Sequence, residues 1–202
     1  MKGDQKMLIK DNIQINKHSD CFLKPQKEFE DLSNIAYGDM ARHTLHIDDT
    51  EEEKQAKRYT VTKILEKAIL DYSGEPYDEW HKGVCEKIKE CYGVYGDAFR
   101  HGQAQKWLNM LMKYIYVYDV QPYTSFFDRI SDFSVLHAPL DNKVIELAKA
   151  KLSIPYPTNA WSKMGYEEYQ KYQDQLRATL ATSPCKNHDE QFRFYRELIN
   201  WS

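Results

Sequence analysis

Apolar residues recur three and four positions apart, in blocks separated by polar, glycine-containing or proline-containing breaks. That spacing lines up one side of successive α-helices. Phe29, Leu32, Ile35 and Ala36 mark a first helix beginning after Pro25. Val61, Ile64, Leu65, Ala68, Ile69 and Tyr72 share a face of a second, from Glu51 to Tyr72. Its start carries a capping box, Thr50 followed three residues on by Glu53, with Glu51 and Glu52 adding acid at the positive helix end. Ser73-Gly74-Glu75-Pro76 stops it. A third helix over 77–92 aligns Trp80, Val84, Ile88 and Cys91, and Gly93-Val94-Tyr95-Gly96 interrupts the pattern. From Asp97 to Tyr116 a long helix resumes on Ala104, Leu108, Leu111, Met112 and Ile115. Its end, Lys113 to Val120, also alternates like a strand, but no comparable second strand stands nearby to pair with it. A short helical piece at 123–133 leads to Ala138-Pro139-Leu140-Asp141, which opens a helix to Leu152. Ile154-Pro155-Tyr156-Pro157 must be extended or turned, because each proline restricts the residue before it. Two helices follow, near 164–181 and 187–200. The expected fold is a compact, multi-helix, all-α domain over 25–202, preceded by a polar arm, 1–24, with thinly spaced Ile9, Ile13 and Ile15.

Composition narrows the functional classes. With 42% hydrophobic and 13% aromatic residues the 202-residue chain can bury a substantial core. Charged residues make up 29%, no apolar run approaches a membrane span, and the N-terminus has no apolar leader, so a soluble, cytoplasmic protein with no membrane partner is expected. A net charge of -3 argues against a generally basic nucleic-acid coat and leaves room for a local basic face. The four cysteines are scattered without a C-x-x-C pair. Cys85 and Cys91 point about 240° apart on one helix, so they cannot share a metal, and Cys91 reads as a buried thiol. His43 and His46 with Asp48 and Asp49 are metal-ligand types, but they precede a capped helix where aspartate is expected anyway, so a metal-dependent hydrolase is the least favoured class. H-E-x-x-H, Walker, G-x-G-x-x-G and G-x-S-x-G patterns are all missing, and neither cofactor nor metal is expected.

Two segments carry candidate chemistry. On the 97–116 helix, Lys106 lies about 200° from Ala104, nearly opposite the apolar stripe, with Asn109 and Lys113 on the same polar side. A solvated face accounts for these residues in the simplest reading. Asp141, ahead of Val144, Ile145, Leu147 and Ala148, is placed as an N-cap. Taken together, the run from His137 through Ala-Pro-Leu-Asp141 into the helix ending at Leu152 resembles the Pro-Val-Asp segment of helix-hairpin-helix DNA glycosylases. Gly102-Gln-Ala-Gln-Lys106-Trp-Leu-Asn109 is similar to the second hairpin helix of that family. The resemblance covers about residues 90–155, and the family's Leu-Pro-Gly-Val-Gly hairpin has no counterpart at the matching place.

The resemblance implies a base-excision glycosylase with lyase activity, Lys106 attacking C1′ of a flipped nucleotide and Asp141 serving as the catalytic carboxylate. Arg100, His101, Gln105 and Lys113 flank Lys106 and are candidates for phosphate or base contact. Trp161, following the proline-rich turn, is a candidate for base stacking. The partner on this reading is DNA. The rival is a non-catalytic helical interaction protein or assembly subunit that binds protein through tyrosine-rich faces, since many of the 15 tyrosines fall in the second half of the chain. The rival expects Lys106 and Asp141 to lie far apart or to be separated by packed side chains.

Overall fold

In the computed structural model the described residues are 28–182 except 43, 46 and 131, and among them the regular structure is helical throughout, an all-α fold. In chain order the helices are α1 (Phe29–Ala41), α2 (Glu51–Asp71), α3 (Tyr77–Cys91), α4 (His101–Tyr118), α5 (Ser125–Asp128), α6 (Asn142–Leu152) and α7 (Tyr166–Thr182). Turns of 3-10 helix occupy Gly93–Ala98, Phe133–Val135 and Trp161–Lys163. The expected arm 1–24, the helix near 187–200, Cys21, Cys185, His43 and His46 lie outside the described residues. Among the described residues no helix is long and apolar enough to cross a membrane.

Local chemistry sets the boundaries. The Thr50 hydroxyl accepts from the Glu53 N–H (3.2 Å) while the Glu53 carboxylate accepts from the Thr50 N–H (2.9 Å), so α2 starts at its capping box. Only Val61, Thr62, Leu65 and Ile69 of this long helix are buried, a narrow stripe confined to its second half. Thr62 meets Ser33 of α1 in a buried hydroxyl pair at 2.7 Å. α4 starts four residues later than the periodicity predicts. Gly96 takes φ 53°, ψ -121°, and Phe99 and Arg100 are extended, so helical geometry resumes only at His101. At its other end α4 continues through Tyr118, with no strand at 113–120.

α4 corrects the expectation of a helix with one wet face. Every residue from His101 to Met112 is buried. The reason is a core in two apolar clusters, one on each side of α4. Ala104, Trp107, Leu108 and Leu111 belong to the first, with α1, α2, α3 and α5. Its largest side chain, Trp107, packs edge-on against Tyr37 and donates its indole N–H to the Ser33 carbonyl at 3.1 Å. The second cluster is built after residue 137, from Leu140, Ile145, Trp161, Met164, Tyr169 and Leu176 among others. Lys106, Gln105 and Asn109 occupy the layer between them.

Two cysteine and tryptophan expectations also change. Cys91 is only half-buried, and among the described residues the fully buried thiol is Cys85. Trp161 is 8% exposed and belongs to the second cluster, so it is not free to stack on a nucleobase. Its 3-10 turn lies directly on the first turn of α4, where Gly102 donates its N–H to the Met164 carbonyl at 3.1 Å. A Cβ on Gly102 would stand 1.8 Å from the Trp161 carbonyl oxygen, so this close approach requires glycine.

Candidate functional site

Pro139 prevents the stretch from His137 to Asp141 from joining α6, yet residues 137–140 are buried, so their peptide groups need partners other than helix or water. Side-chain amides supply them. Gln173 of α7 accepts from the Ala138 N–H (3.1 Å) and donates to the Ala138 carbonyl (2.7 Å). Gln105 of α4 accepts from the Leu140 N–H (3.3 Å) and donates to the Leu140 carbonyl (3.1 Å). Asn109 donates to Gln105 Oε1 at 3.0 Å and more weakly to the Ala138 carbonyl. These glutamines bracket the segment as neighbouring strands would, and in doing so they fix where Asp141 falls.

Asp141 is the N-cap of α6. Its Oδ1 accepts from the Val144 N–H at 2.8 Å, which leaves Oδ2 for Lys106 Nζ at 2.5 Å. Two residues 35 positions apart in the chain thus form an ion pair, Lys106 at 6% and Asp141 at 24% side-chain exposure. The carboxylate is the more open partner. Lys113, two turns along α4, is half-buried, and desolvation, followed by the positive charge of Lys106, pushes its pKa below the usual lysine range. Lys143 is exposed in the first turn of α6, and its charge also acts on Lys113. Asp39 acts on Lys113 with the opposite sign, and Glu146 lies one turn into α6, so charges of both signs surround Asp141. A shallow depression lined by Asn142, Ile145, Glu146, Tyr156, Asn159 and Trp161 opens at the start of α6, with Tyr156 60% exposed there.

The other expected contact residues divide. Arg100 remains accessible and pairs with Asp97 at 2.9 Å. Gln105 is fully buried and spends its amide on the backbone of Gly102 and Leu140. It is a bracket for Asp141 and not a surface for nucleic acid. His101 has a side chain with no exposure, so it too is withdrawn from any contact role. The sequence places both beside a wet face, and α4 has none at that depth. Among the tyrosines of the second half, Tyr169 and Tyr172 are buried, while Tyr118 and Tyr156 are exposed.

Periodicity missed a row of polar side chains that continues the layer away from Lys106. The His81 Nε2–H donates to Asn109 Oδ1 (2.9 Å), and Asn109 Nδ2 donates to the Tyr169 hydroxyl (3.0 Å). That hydroxyl donates to His137 Nδ1 (2.8 Å), and His137 Nε2–H donates to Asp78 Oδ1 (2.8 Å). Asp78 closes the row by accepting both Arg177 nitrogens, at 2.5 and 2.8 Å. From His81 to His137 each donor points toward Asp78, and Arg177 donates to it from the other end. Burial drives the histidines toward the neutral form, His137 and His101 down to about 4 and His81 well below its ordinary value. Burial of Asp78 works to raise its pKa, but Arg177 and His137 together outweigh it and hold the carboxyl far below the usual range. One signal for this row was in the sequence. His81 and Cys85 are four apart, one position after Trp80 and Val84, and so trace a second buried row on α3 beside the apolar one.

Comparison of the chain with family models, curated proteins and solved structures finds no match.

Proposed function

We propose that this chain binds nucleic acid as a base-excision glycosylase with lyase activity, related in fold to the helix-hairpin-helix glycosylases, with Lys106 as nucleophile and Asp141 as its carboxylate. The observation that carries the reading is the 2.5 Å approach of Lys106 Nζ to Asp141 Oδ2, made between two segments chosen for their chemistry and not for their proximity. A lysine amine attacks only when it has lost its proton, so the substrate first separates the pair and the proton passes to water. The amine then bonds to C1′ of a flipped nucleotide while the glycosidic bond breaks. The base leaves with the bonding electrons and takes a proton from solvent. The added nitrogen gives up a proton and O4′ gains one as the ring opens to an iminium at C1′; loss of a C2′ proton to solvent then breaks the C3′–O bond and releases the 3′ phosphate.

The neighbouring groups suit an anionic substrate. Lys113 and Lys143 stand near the carboxylate, and Arg100 is accessible near the start of α4. Tyr156, exposed at the depression beside α6, takes the stacking role that a buried Trp161 cannot. The more open side of the pair is that of Asp141, which is where a flipped nucleotide enters to separate the two side chains.

Borohydride trapping tests the reading, because reduction turns the iminium into a stable protein–DNA adduct. The wild-type chain is expected to form that adduct with a duplex carrying an abasic site. Lys106→Gln is expected to form none while still binding a stable abasic analogue in preference to undamaged duplex, with affinity falling steeply as salt is added. Because Lys106 is nearly buried, the variant is also expected to lose about 1–3 kcal/mol of stability, and trapping is done well below its thermal midpoint. An undiminished adduct in the variant would sink the assignment of Lys106. Absence of binding to either duplex at low salt would overturn the nucleic-acid reading and leave the helical interaction protein.

A further inference from the structure

On the far side of Asn109 from Gln105, three potential metal ligands converge in the protein interior. His81 and Cys85 are one turn apart on α3, and His101 is the first residue of α4. One ligand atom from each lies within 4.8 Å of the other two. Cys85 Sγ is 3.7 Å from His81 Nδ1. A tetrahedral zinc ion with ordinary Zn–S and Zn–N bonds separates its sulfur and nitrogen ligands by about 3.6 Å, so this pair already has the required spacing.

His101 supplies the second, independent observation. Its side chain has no exposure, and neither ring nitrogen has a hydrogen-bond partner. A fully buried imidazole with both nitrogens unpaired is rare in folded proteins and points to a ligand that completes it. The nearest charged oxygen, Glu86 Oε1, is 3.7 Å from Nδ1, outside hydrogen-bond range, and a shift of under about 1 Å would let it accept from Nδ1–H as acids that orient ligand histidines do. His81 is already oriented in this manner, since donation of Nε2–H to Asn109 leaves the Nδ1 lone pair facing Cys85.

We propose that His81, Cys85 and His101 form a site for a borderline-soft divalent cation of the zinc class, which ties α3 to the start of the helix that carries Lys106. His81 coordinates through Nδ1, Cys85 as thiolate, and His101 through Nε2 with its Nδ1–H turned to Glu86. Coordination releases the thiol proton to solvent. The Cys85 thiolate offsets one of the ion's two positive charges, and Glu86, already paired with Lys89 at 2.8 Å, offsets part of the other. With three protein ligands, water takes the fourth position. The site is separate from the Lys106–Asp141 pair, and the proposal stands whether or not that pair is catalytic. It escaped the sequence patterns because a His-x-x-x-Cys row inside one helix, completed from beyond a 3-10 turn, matches none of the usual ligand spacings.

The test uses the full chain freed of metal with a chelator and titrated with cobalt(II). The wild type is expected to bind one equivalent, with the intense visible bands of tetrahedral cobalt and a thiolate-to-cobalt charge-transfer band in the near ultraviolet, both displaced by zinc. Zinc is expected to raise its thermal midpoint. Cys85→Ser is expected to lose the charge-transfer band, and His101→Gln to lose the tetrahedral bands. A wild-type protein with neither cobalt bands nor a zinc-dependent midpoint overturns the proposal, even where a variant fails to fold. So does an unchanged spectrum in both variants, which would place the cation on other side chains.

Discussion

Gly102→Ala is expected to destabilise the fold by more than about 3 kcal/mol, far beyond an ordinary helix substitution. On propensity alone, alanine in the first turn of α4 would favour the helix by up to about 1 kcal/mol. The local surroundings reverse that sign. The new Cβ would lie 1.8 Å from the Trp161 carbonyl oxygen, 2.9 Å from the Trp161 carbonyl carbon and 3.3 Å from that of Ser162. All three are backbone atoms, so no side chain can swing aside. The 161–163 turn has to lift, breaking the hydrogen bond from Gly102 to Met164 and withdrawing Trp161 and Met164 from the second cluster. Urea unfolding gives the comparison, with Gly83→Ala as its control. Gly83 is exposed in mid-helix with nothing within 4 Å of its Cβ position, so alanine there should stabilise. A Gly102→Ala midpoint equal to that of the wild type would mean that the turn does not rest on α4.

The second large effect is acid lability between pH 6.5 and 4. His137 and His101 have pKa values lowered to about 4 by burial, and His81 lies well below its ordinary value for the same reason. In the unfolded chain all three titrate near 6.5. Because the folded values are depressed, the neutral imidazoles favour the fold fully above the unfolded pKa. That contribution is lost as pH falls toward the folded values, since the unfolded chain binds up to three more protons. Each extra proton bound by the unfolded chain adds about 1.4 kcal/mol per pH unit to the slope, so stability is expected to fall steeply toward pH 5. Asp78 adds nothing to this window, because its carboxyl is held far down and its share is lost only at lower pH. Unfolding free energies on metal-free protein at pH 7.5, 6.5 and 5.5 would reveal the slope. A flat profile would show that water reaches the histidines and that the layer they occupy is wet.

Helices were legible wherever one face alone meets the core and a chemical signal closes the end. Thr50 and Glu53 start α2, Gly74 and Pro76 end the stretch that follows it, and Asp141 caps α6 where its sequence neighbours place it. The same arithmetic failed on α4 because it assumes a single buried face. Lys106, Asn109 and Gln105 lie opposite the apolar stripe, and nothing local distinguishes a polar face turned to water from one turned to a second core. Motif resemblance chose Lys106 and Asp141 where periodicity consigned Lys106 to solvent, and their contact could not be read from either segment alone. Trp161 was read as exposed from the prolines before it. Gly102, which makes its burial possible, is distant in the chain and is informative only once its partner is known. His81 and Cys85 were hidden beside the stronger Trp80 and Val84 row.

Between the two apolar clusters the contacts are largely directional: the amides that hold residues 138–140, the Lys106–Asp141 pair, and the row from His81 to Arg177. Water can substitute for such partners one at a time, whereas separating Leu140 from Ile145 or Trp107 from Leu108 would expose hydrocarbon all at once. The molecule therefore has a cleavage plane, in the crystallographer's sense of a direction along which a solid parts while its blocks stay whole. Parting along that plane would keep each half of the core together and bring Lys106 to solvent, and it would also have to lift the 161–163 turn off Gly102.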